Sequence, residues 1–290
     1  MKKLFTNTVI GLVAVLGLSN CIQSHTVVFV HKDGTATVEE KTVLSGMVAQ
    51  MMQGFAGAFE GEEGGGDAKA AANPLLDRKS YEARAKGMGD GVELKELKEL
   101  KDPNGGIGVH AVFSVADINK LKLEASGGEM PDALKGLSPD IEEKVAGEES
   151  TPITFAYKDG ELSINVPQPE GIEELEKANE ELKGLEPDLN LGPEQAQQME
   201  MAKMMMKDMA ISLKVEVDGG IAKTDATFSK GSELTLFEMK FSEILKDPNA
   251  FSKLALMGED MQDKDKAMAV LKKFPGVKLE PKKKVSVSLK

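Results

Sequence analysis

The chain has 290 residues and a formal net charge of −12 at pH 7, which argues against nucleic-acid binding because phosphate contacts need a basic surface. Aromatic residues make up only 4% of the chain and there is no tryptophan, so an aromatic platform for carbohydrate is not expected. With one cysteine no intramolecular disulfide can form, and burial of the apolar residues (41%) must hold the fold together.

A short apolar segment opens the chain. Two lysines precede an apolar run over 9–18, which is shorter than the roughly 20 residues that a transmembrane helix needs. The single cysteine follows in Leu18-Ser19-Asn20-Cys21. This order resembles a bacterial lipoprotein signal peptide, although Asn20 stands where the usual pattern has Gly or Ala. We expect a cleaved signal peptide over 1–20 and lipidation, of the palmitate kind, at Cys21; a free secreted protein is the alternative.

The attached lipid would be the membrane partner. An acidic chain is not drawn broadly to anionic lipid, so anchoring depends on the acyl chains, and stable anchoring takes at least two. Ile22 stands where an inner-membrane retention signal in enteric bacteria would be Asp. In a host with two membranes we therefore expect the outer membrane, with the protein on its periplasmic or surface face. We expect the lysines at 278 and 282–284 to form a solvated turn before the final strand; the alternative is that they contact lipid headgroups.

Strand patterns begin soon after the cysteine. Residues 27–30 are apolar and strand-like, Asp33-Gly34 predicts a turn, and 36–39 alternate as a second strand. The folded body is therefore expected within about five residues of Cys21, without the flexible linker common in lipoproteins.

Helix and strand patterns follow in the first half of the chain. Apolar residues three and four apart predict helices over 44–59 and about 75–86. Residues 92–100 fit a strand or a helix. Alternation over 109–115 predicts a strand after the Pro-Asn-Gly-Gly turn.

The second half reads mainly as strands. A hairpin over 153–166 turns at Asp159-Gly160, with Phe155 and Ile164 on its inward face. A strong helix over 194–209 leads into the clearest strand, 211–217. Further strands are predicted over 221–228, 234–236 and 285–289, and short helices over 242–256 and 264–274.

These elements predict the α+β class: a largely antiparallel sheet of hairpins with inserted helices, after a cleaved signal peptide. We expect one domain over 21–290. Flexible insertions are expected near 60–73, 125–150 and 170–192, where the composition is rich in Gly, Glu, Pro and Ser or strongly acidic.

Catalytic and metal-binding patterns are not found in the sequence. The histidines are His25, His31 and His110. His25 and His31 would share a strand face about 20 Å apart, too far to bind one metal ion. The chain has no zinc-ligand spacing, calcium loop, nucleophile elbow or phosphate-binding glycine loop. We expect no enzymatic activity, no cofactor and no metal site.

Methionines crowd two of the predicted helices. They are Met47, Met51 and Met52 in the first, and Met199, Met201, Met204, Met205, Met206 and Met209 in the second. Thioether sulfur suits Cu(I), and Met201 and Met205 would share a helix face. Methionine also fills irregular cores, which is the main interpretation. A third is an apolar surface for an acyl chain or a protein.

Several turn motifs resemble a family. These are 87–92, Phe113-x-x-x-Asp117-Ile118-Asn119 and Gly219-Gly220-Ile221. Together with the cysteine leader they resemble uncharacterised bacterial envelope lipoproteins, which implies an α+β fold and no known reaction. We expect a non-enzymatic binding or scaffold module of the cell envelope. The alternative is a lipid- or amphiphile-binding carrier with a methionine-rich apolar surface.

Overall fold

Two β-sheets make up most of the described chain. The structure, a computed structural model, describes residues 22–46, 49, 73, 75–102, 105–124, 151–167, 197, 200–201, 203–204, 206–247 and 274–290. Its strands are β1 (Ile22–Val30), β2 (Ala36–Leu44), β3 (Val92–Lys101), β4 (Ile107–Val115), β5 (Lys122–Leu123), β6 (Ile153–Lys158), β7 (Glu161–Asn165), β8 (Ala210–Val217), β9 (Ile221–Thr224), β10 (Ser229–Lys230), β11 (Glu233–Lys240), β12 (Val277–Leu279) and β13 (Lys284–Leu289). The helices are α1 (Arg78–Met88), α2 (Phe241–Ile244) and a 3-10 turn (Ile118–Lys120).

The large sheet has β1 at its centre. Its strand order is β10-β11-β8-β1-β2-β4-β3, with β12 also paired to β11. β1 is antiparallel to β2 and parallel to β8, where Gln23 lies opposite Ala210. The small sheet has the order β5-β6-β7-β13-β9. The fold is therefore largely β with some helix, and its sheets are mainly antiparallel, as the hairpin patterns predicted.

One buried core joins both sheets and α1. Alternate residues of β1, β2, β4 and β8 point inward, as the period of two in a strand requires. Phe113 of the large sheet and Phe155 of the small sheet belong to the same buried cluster. From α1 the cluster receives Tyr81, Ala85 and Met88, which lie at the spacing of one helix face. The ring of Tyr81 stacks on that of Phe113 with centroids 6.3 Å apart.

The predicted hairpin and the strand predicted over 211–217 are confirmed, whereas the strand predicted over 221–228 ends at Thr224. Phe155 lies opposite Ile164, both are buried, and the turn between β6 and β7 falls on Asp159-Gly160. Both turn residues have positive φ (52° and 81°), which is what a tight two-residue hairpin turn needs. Leu213 and Val215 of β8 are also buried on one face, as their alternation predicted.

The segment 92–100, which fitted a strand or a helix, is a strand, β3. Leu94 and Leu97 are three residues apart, which suits a helix, but the strand has a bulge between Leu94 and Glu96. The extra residue brings both leucines opposite inward-facing partners on β4, Phe113 and Ala111. This edge strand carries many charged side chains, which is common because charges keep an edge strand from pairing with another chain.

Helix boundaries differ from the predicted ones. Leu44 ends β2 and does not begin a helix; Gly46 and Ala49 beyond it are helical, and the rest of 47–59 lies outside the described residues. α1 begins after Asp77, whose carboxylate accepts a hydrogen bond from the Lys79 amide (3.1 Å) and caps the first turn.

The predicted insertions lie almost wholly outside the described residues. The same holds for most of the helix predicted over 242–256 and for the helix predicted over 264–274, of which only Phe274 is described. One insertion contributes a contact: the Asn73 side chain donates to the Gly108 carbonyl of β4 (2.9 Å).

Candidate functional site

The end of the large sheet nearest Cys21 has no linker before it. Cys21 and residues 1–20 lie outside the described residues, but β1 begins at the next position, Ile22. Ile22 already pairs with Leu44, and Gln23 pairs with Ala210 on the other side. The strand that follows Cys21 is thus held on both sides from its start. A group attached to Cys21 would lie directly at this end of the sheet, which we name the β1 end.

The methionine-rich segment reaches the same end, because β8 runs parallel to β1 and starts beside it. Met206 and Met209 are 1% and 7% exposed and fill the core, as the main interpretation of the methionines predicted. Met201 and Met204 are 56% and 64% exposed. The structure therefore divides these methionines between core and surface. The alternative of copper binding by Met201 and Met205 stays open, because Met205 lies outside the described residues together with Met47, Met51, Met52 and Met199.

The three histidines lie on the outward-facing side of the large sheet, and each has its own neighbours. His25 Nδ1 is 2.8 Å from Ser212 Oγ, His31 Nδ1 is 3.1 Å from Asp218 Oδ2, and His110 Nε2 is 3.4 Å from Glu39 Oε2. Lys41 stands between His25 and His110 in the strand register, so these histidines are about 10 Å apart. Among the described residues no group of three His, Cys, Asp or Glu side chains could hold a metal ion.

The contact between His25 and Ser212 has the distance of a base and a nucleophile, but its surroundings do not suit that role. In a hydrolytic triad a carboxylate orients the histidine through its second ring nitrogen. The groups around His25 are chiefly lysines: burial first, and then Lys214, lower the pKa of its imidazole, and Glu238 only partly opposes them. Within the described residues Glu238 binds Lys278 (2.7 Å) and Lys240 (3.0 Å). The pair is best understood as part of a row of paired polar groups crossing the sheet.

The opposite end of the large sheet carries a groove, which we name the distal groove. It has a volume of about 550 Å³ and lies where β1 and β8 end and β2 begins. Phe29 contributes to its lining at half-buried exposure, together with Glu39, Glu216 and Asp218. No lysine or arginine is among its lining residues. The groove is therefore an acidic depression that includes an aromatic ring.

A second depression lies beside the first, around the turn between β1 and β2. Its volume is about 780 Å³, and charged and polar turn residues supply most of its lining. The Asp117-Ile118-Asn119 turn borders it and joins the two sheets: Asp117 caps the 3-10 turn, and the Asn119 side chain accepts from the Tyr157 amide (2.7 Å). Tyr157 in turn donates to the Lys32 carbonyl (2.9 Å). The Asp117-Ile118-Asn119 motif therefore has a structural role.

The basic tail packs against the protein. Lys282 Nζ lies 3.3 Å from an Asp225 carboxylate oxygen, and Lys284 begins β13. This favours the interpretation of the tail as a turn before the last strand. Across the described part of the chain, no helix is long and apolar enough to cross a membrane.

Comparison with known proteins gives no family assignment. No protein-family model matches the chain, and no curated protein matches it. A similar solved structure is the NMR structure of the folded domain of Mycobacterium tuberculosis LppM. The two share 10% sequence identity, the match covers 77% of this chain and 84% of that one, and the TM-score is 0.29. A TM-score this low does not establish a common architecture, so neither fold nor function is transferred.

Sequence reasoning missed the groups that non-local pairing brings together. Ser212 meets His25 through the parallel pairing of β1 with β8, and Glu216 and Asp218 join Phe29 in the same way. The Gly219-Gly220 pair does predict a turn after β8, and both glycines have positive φ, but no local pattern places this turn beside Phe29.

Proposed function

We propose that this protein is a bacterial lipoprotein anchored to a membrane of the cell envelope through lipid on Cys21, and that it acts as a non-enzymatic binding or scaffold module. One observation carries the proposal: the central strand of the large sheet begins at Ile22, immediately after the cysteine. Processing at Cys21 would remove the apolar leader and leave a mature chain that starts with its first structural element.

Because no linker separates Cys21 from β1, lipid on Cys21 would fix the orientation of the protein relative to the membrane. One residue of extended chain spans about 3.5 Å, so the β1 end would lie against the membrane surface. The exposed Met201 and Met204 belong to the segment that enters this end. Residues near Val30, about 25 Å further along the strand, would face away from the membrane. In a host with two membranes we assign the anchor to the outer membrane, because Ile22 and not Asp follows the cysteine.

The two depressions favour a binding module over the alternative of a lipid carrier. A carrier encloses its ligand in a largely apolar cavity, whereas both depressions described here are open to solvent; the second has a mainly polar lining, and the lining of the distal groove is polar and apolar in similar amounts. The proposal of a non-enzymatic role is supported by the lysine-rich surroundings of His25 and Ser212, which do not suit a catalytic pair.

The anchor is tested by Cys21→Ser, which removes the thiol that would carry the lipid. We expect the variant to leave the membrane fraction, or to accumulate with its leader uncut, and to incorporate no labelled fatty acid. Ser19→Ala changes a small residue to another small residue in the same segment and should stay in the membrane fraction and be labelled. Fractionation and labelling that do not differ between the wild type and Cys21→Ser would refute the anchor.

A further inference from the structure

The distal groove brings one aromatic ring, Phe29, together with the carboxylates of Glu39, Glu216 and Asp218. Phe29 lies between Glu216 of β8 and Thr37 of β2 in the strand register, so its ring stands in the centre of the sheet and not at an edge. It remains half-buried and is the largest apolar side chain of β1 on a face that also carries Val27 and many polar residues. A half-buried aromatic ring in a depression offers its open part as a stacking or cation–π surface.

The carboxylates around this ring are short of cations. Among the described residues neither Glu216 nor Asp218 has a lysine or arginine nitrogen within 4 Å; Glu216 accepts from Ser232 Oγ (3.2 Å), and Asp218 contacts His31. The third carboxylate, Glu39, lies 3.5 Å from Lys41. The nearby Glu233 is paired with Lys214 (2.9 Å). Two described ammonium groups, those of Lys32 and Lys290, lie beside Gly219 and Gly220 at the rim of the groove and not within 4 Å of Glu216 or Asp218. Within the described part of the chain, the carboxylates inside the groove are thus left without a directly paired lysine or arginine, except for Glu39.

These features fit a cationic occupant with an extended shape. A volume of about 550 Å³ exceeds what a single ion needs, and the described residues offer no metal-ligand cluster. A lysine or arginine side chain can lie on the Phe29 ring while its charged group reaches Glu216 or Asp218. The turns after β1 and β8 flank the groove, so that a peptide could run between them.

We propose that the distal groove binds a lysine- or arginine-bearing peptide segment of another envelope protein. The assignment rests on the proposed role as a binding module and names its partner class, but it does not depend on the lipid at Cys21. The groove lies about 25 Å along β1 from the anchored end, so a membrane-bound molecule would present it to a partner away from the bilayer.

The test uses a fluorescent peptide of three Arg-Gly repeats, titrated with the full-length protein in detergent, and a Glu-Gly peptide of the same length as the negative probe. We expect only the Arg-Gly peptide to bind. Its affinity should fall as the salt concentration rises from about 50 to about 500 mM, because salt screens the attraction between opposite charges. Glu216→Gln with Asp218→Asn should weaken binding about fivefold, from the loss of two exposed charge pairs. Phe29→Leu keeps an apolar side chain but removes the ring, and should weaken binding about threefold.

The control pairs Glu82→Gln on α1 with Glu161→Gln on β7, which removes the same charge away from the groove. Its affinity should stay within about twofold of the wild type, because surface substitutions elsewhere have small effects. Equal weakening by the control and the groove variants would show attraction to net charge only and would overturn the proposal. Binding unaffected by the groove variants, or no binding of the Arg-Gly peptide, would overturn it as well. Loss of membrane anchoring in Cys21→Ser with peptide binding retained would contradict only the anchor.

Discussion

Replacing Leu213 by Ala should lower the free energy of unfolding by about 2–5 kcal/mol, the range for truncating a buried leucine. Leu213 is 1% exposed, and β8 holds it between Thr26 of β1 and Phe237 of β11. Neighbours on both sides of a central strand cannot close the space that the side chain leaves. Urea unfolding followed by circular dichroism measures the change.

The control is the adjacent residue on the other face. Lys214 is partly exposed, and its ammonium group pairs with Glu233 at 2.9 Å. Lys214→Ala should cost no more than about 1 kcal/mol, since exposed ion pairs contribute little. If both variants lose the same small amount of stability, the two faces of β8 are not distinguished and its position in the sheet is wrong.

The second large effect comes from a charge pair under the large sheet. Glu40 of β2 points inward and is 6% exposed, and Arg84 of α1 reaches it with Nη2 2.9 Å from Oε1. Burial raises the pKa of the Glu40 carboxyl, and the Arg84 guanidinium opposes that rise. Burial, and next the Glu40 charge, raise the pKa of the neighbouring Tyr81 to about 12. The pair therefore joins α1 to the sheet at an electrostatic cost.

Arg84→Met should destabilise the protein by about 3 kcal/mol at pH 7, because it leaves a buried carboxylate without its partner. The double variant Glu40→Met with Arg84→Met removes both charges and should recover most of this loss. The measurement is urea unfolding of the wild type, the single variant and the double variant. A double variant that is no more stable than Arg84→Met would contradict this account, because the loss of stability would then not come from the unpaired Glu40 carboxylate.

The pH dependence of the same pair has a definite sign. Because the pKa of Glu40 is raised in the folded state, the folded state binds its proton more tightly than the unfolded state does. The Glu40 contribution to stability is present below the ordinary glutamate pKa and is lost as pH rises through the raised value. Arg84→Met should extend this loss to higher pH, so its cost should be smaller at pH 4 than at pH 7. An equal cost at both pH values would contradict the assignment of the effect to Glu40 ionisation.

Local patterns in the sequence predicted the strands but not their neighbours. The strict alternation of β8 and the Asp159-Gly160 turn depend on residues close in the chain, and both are confirmed. The parallel pairing of β1 with β8 joins positions 187 residues apart, as His25 and Ser212 illustrate, and no local pattern encodes it. In β3 the bulge hid the alternation and made a strand resemble a helix.

The candidate site was predictable only in part. The early start of the first strand was predictable from adjacent residues, and β1 begins even earlier than the pattern indicated, at Ile22 in place of Val27. The cleaved leader and the lipid at Cys21 stay predictions. The distal groove was not readable, because Phe29, Glu216 and Asp218 come from strands far apart in the chain. The partner of Glu40 was hidden for the same reason: its position in β2 follows from alternation, but Arg84 comes from a helix that crosses beneath.

The central claim, that a lipid-bearing cysteine leads directly into the central strand, is tested most directly by the mass of the mature N-terminus. Membranes from cells that express the full-length protein are extracted with detergent, and the purified protein is digested and its N-terminal peptide measured by mass spectrometry. The account predicts a peptide that begins at Cys21, followed by Ile22, with the added mass of a diacylglyceryl group or of three acyl chains. A peptide that runs unmodified through Asn20 and Cys21 would contradict it.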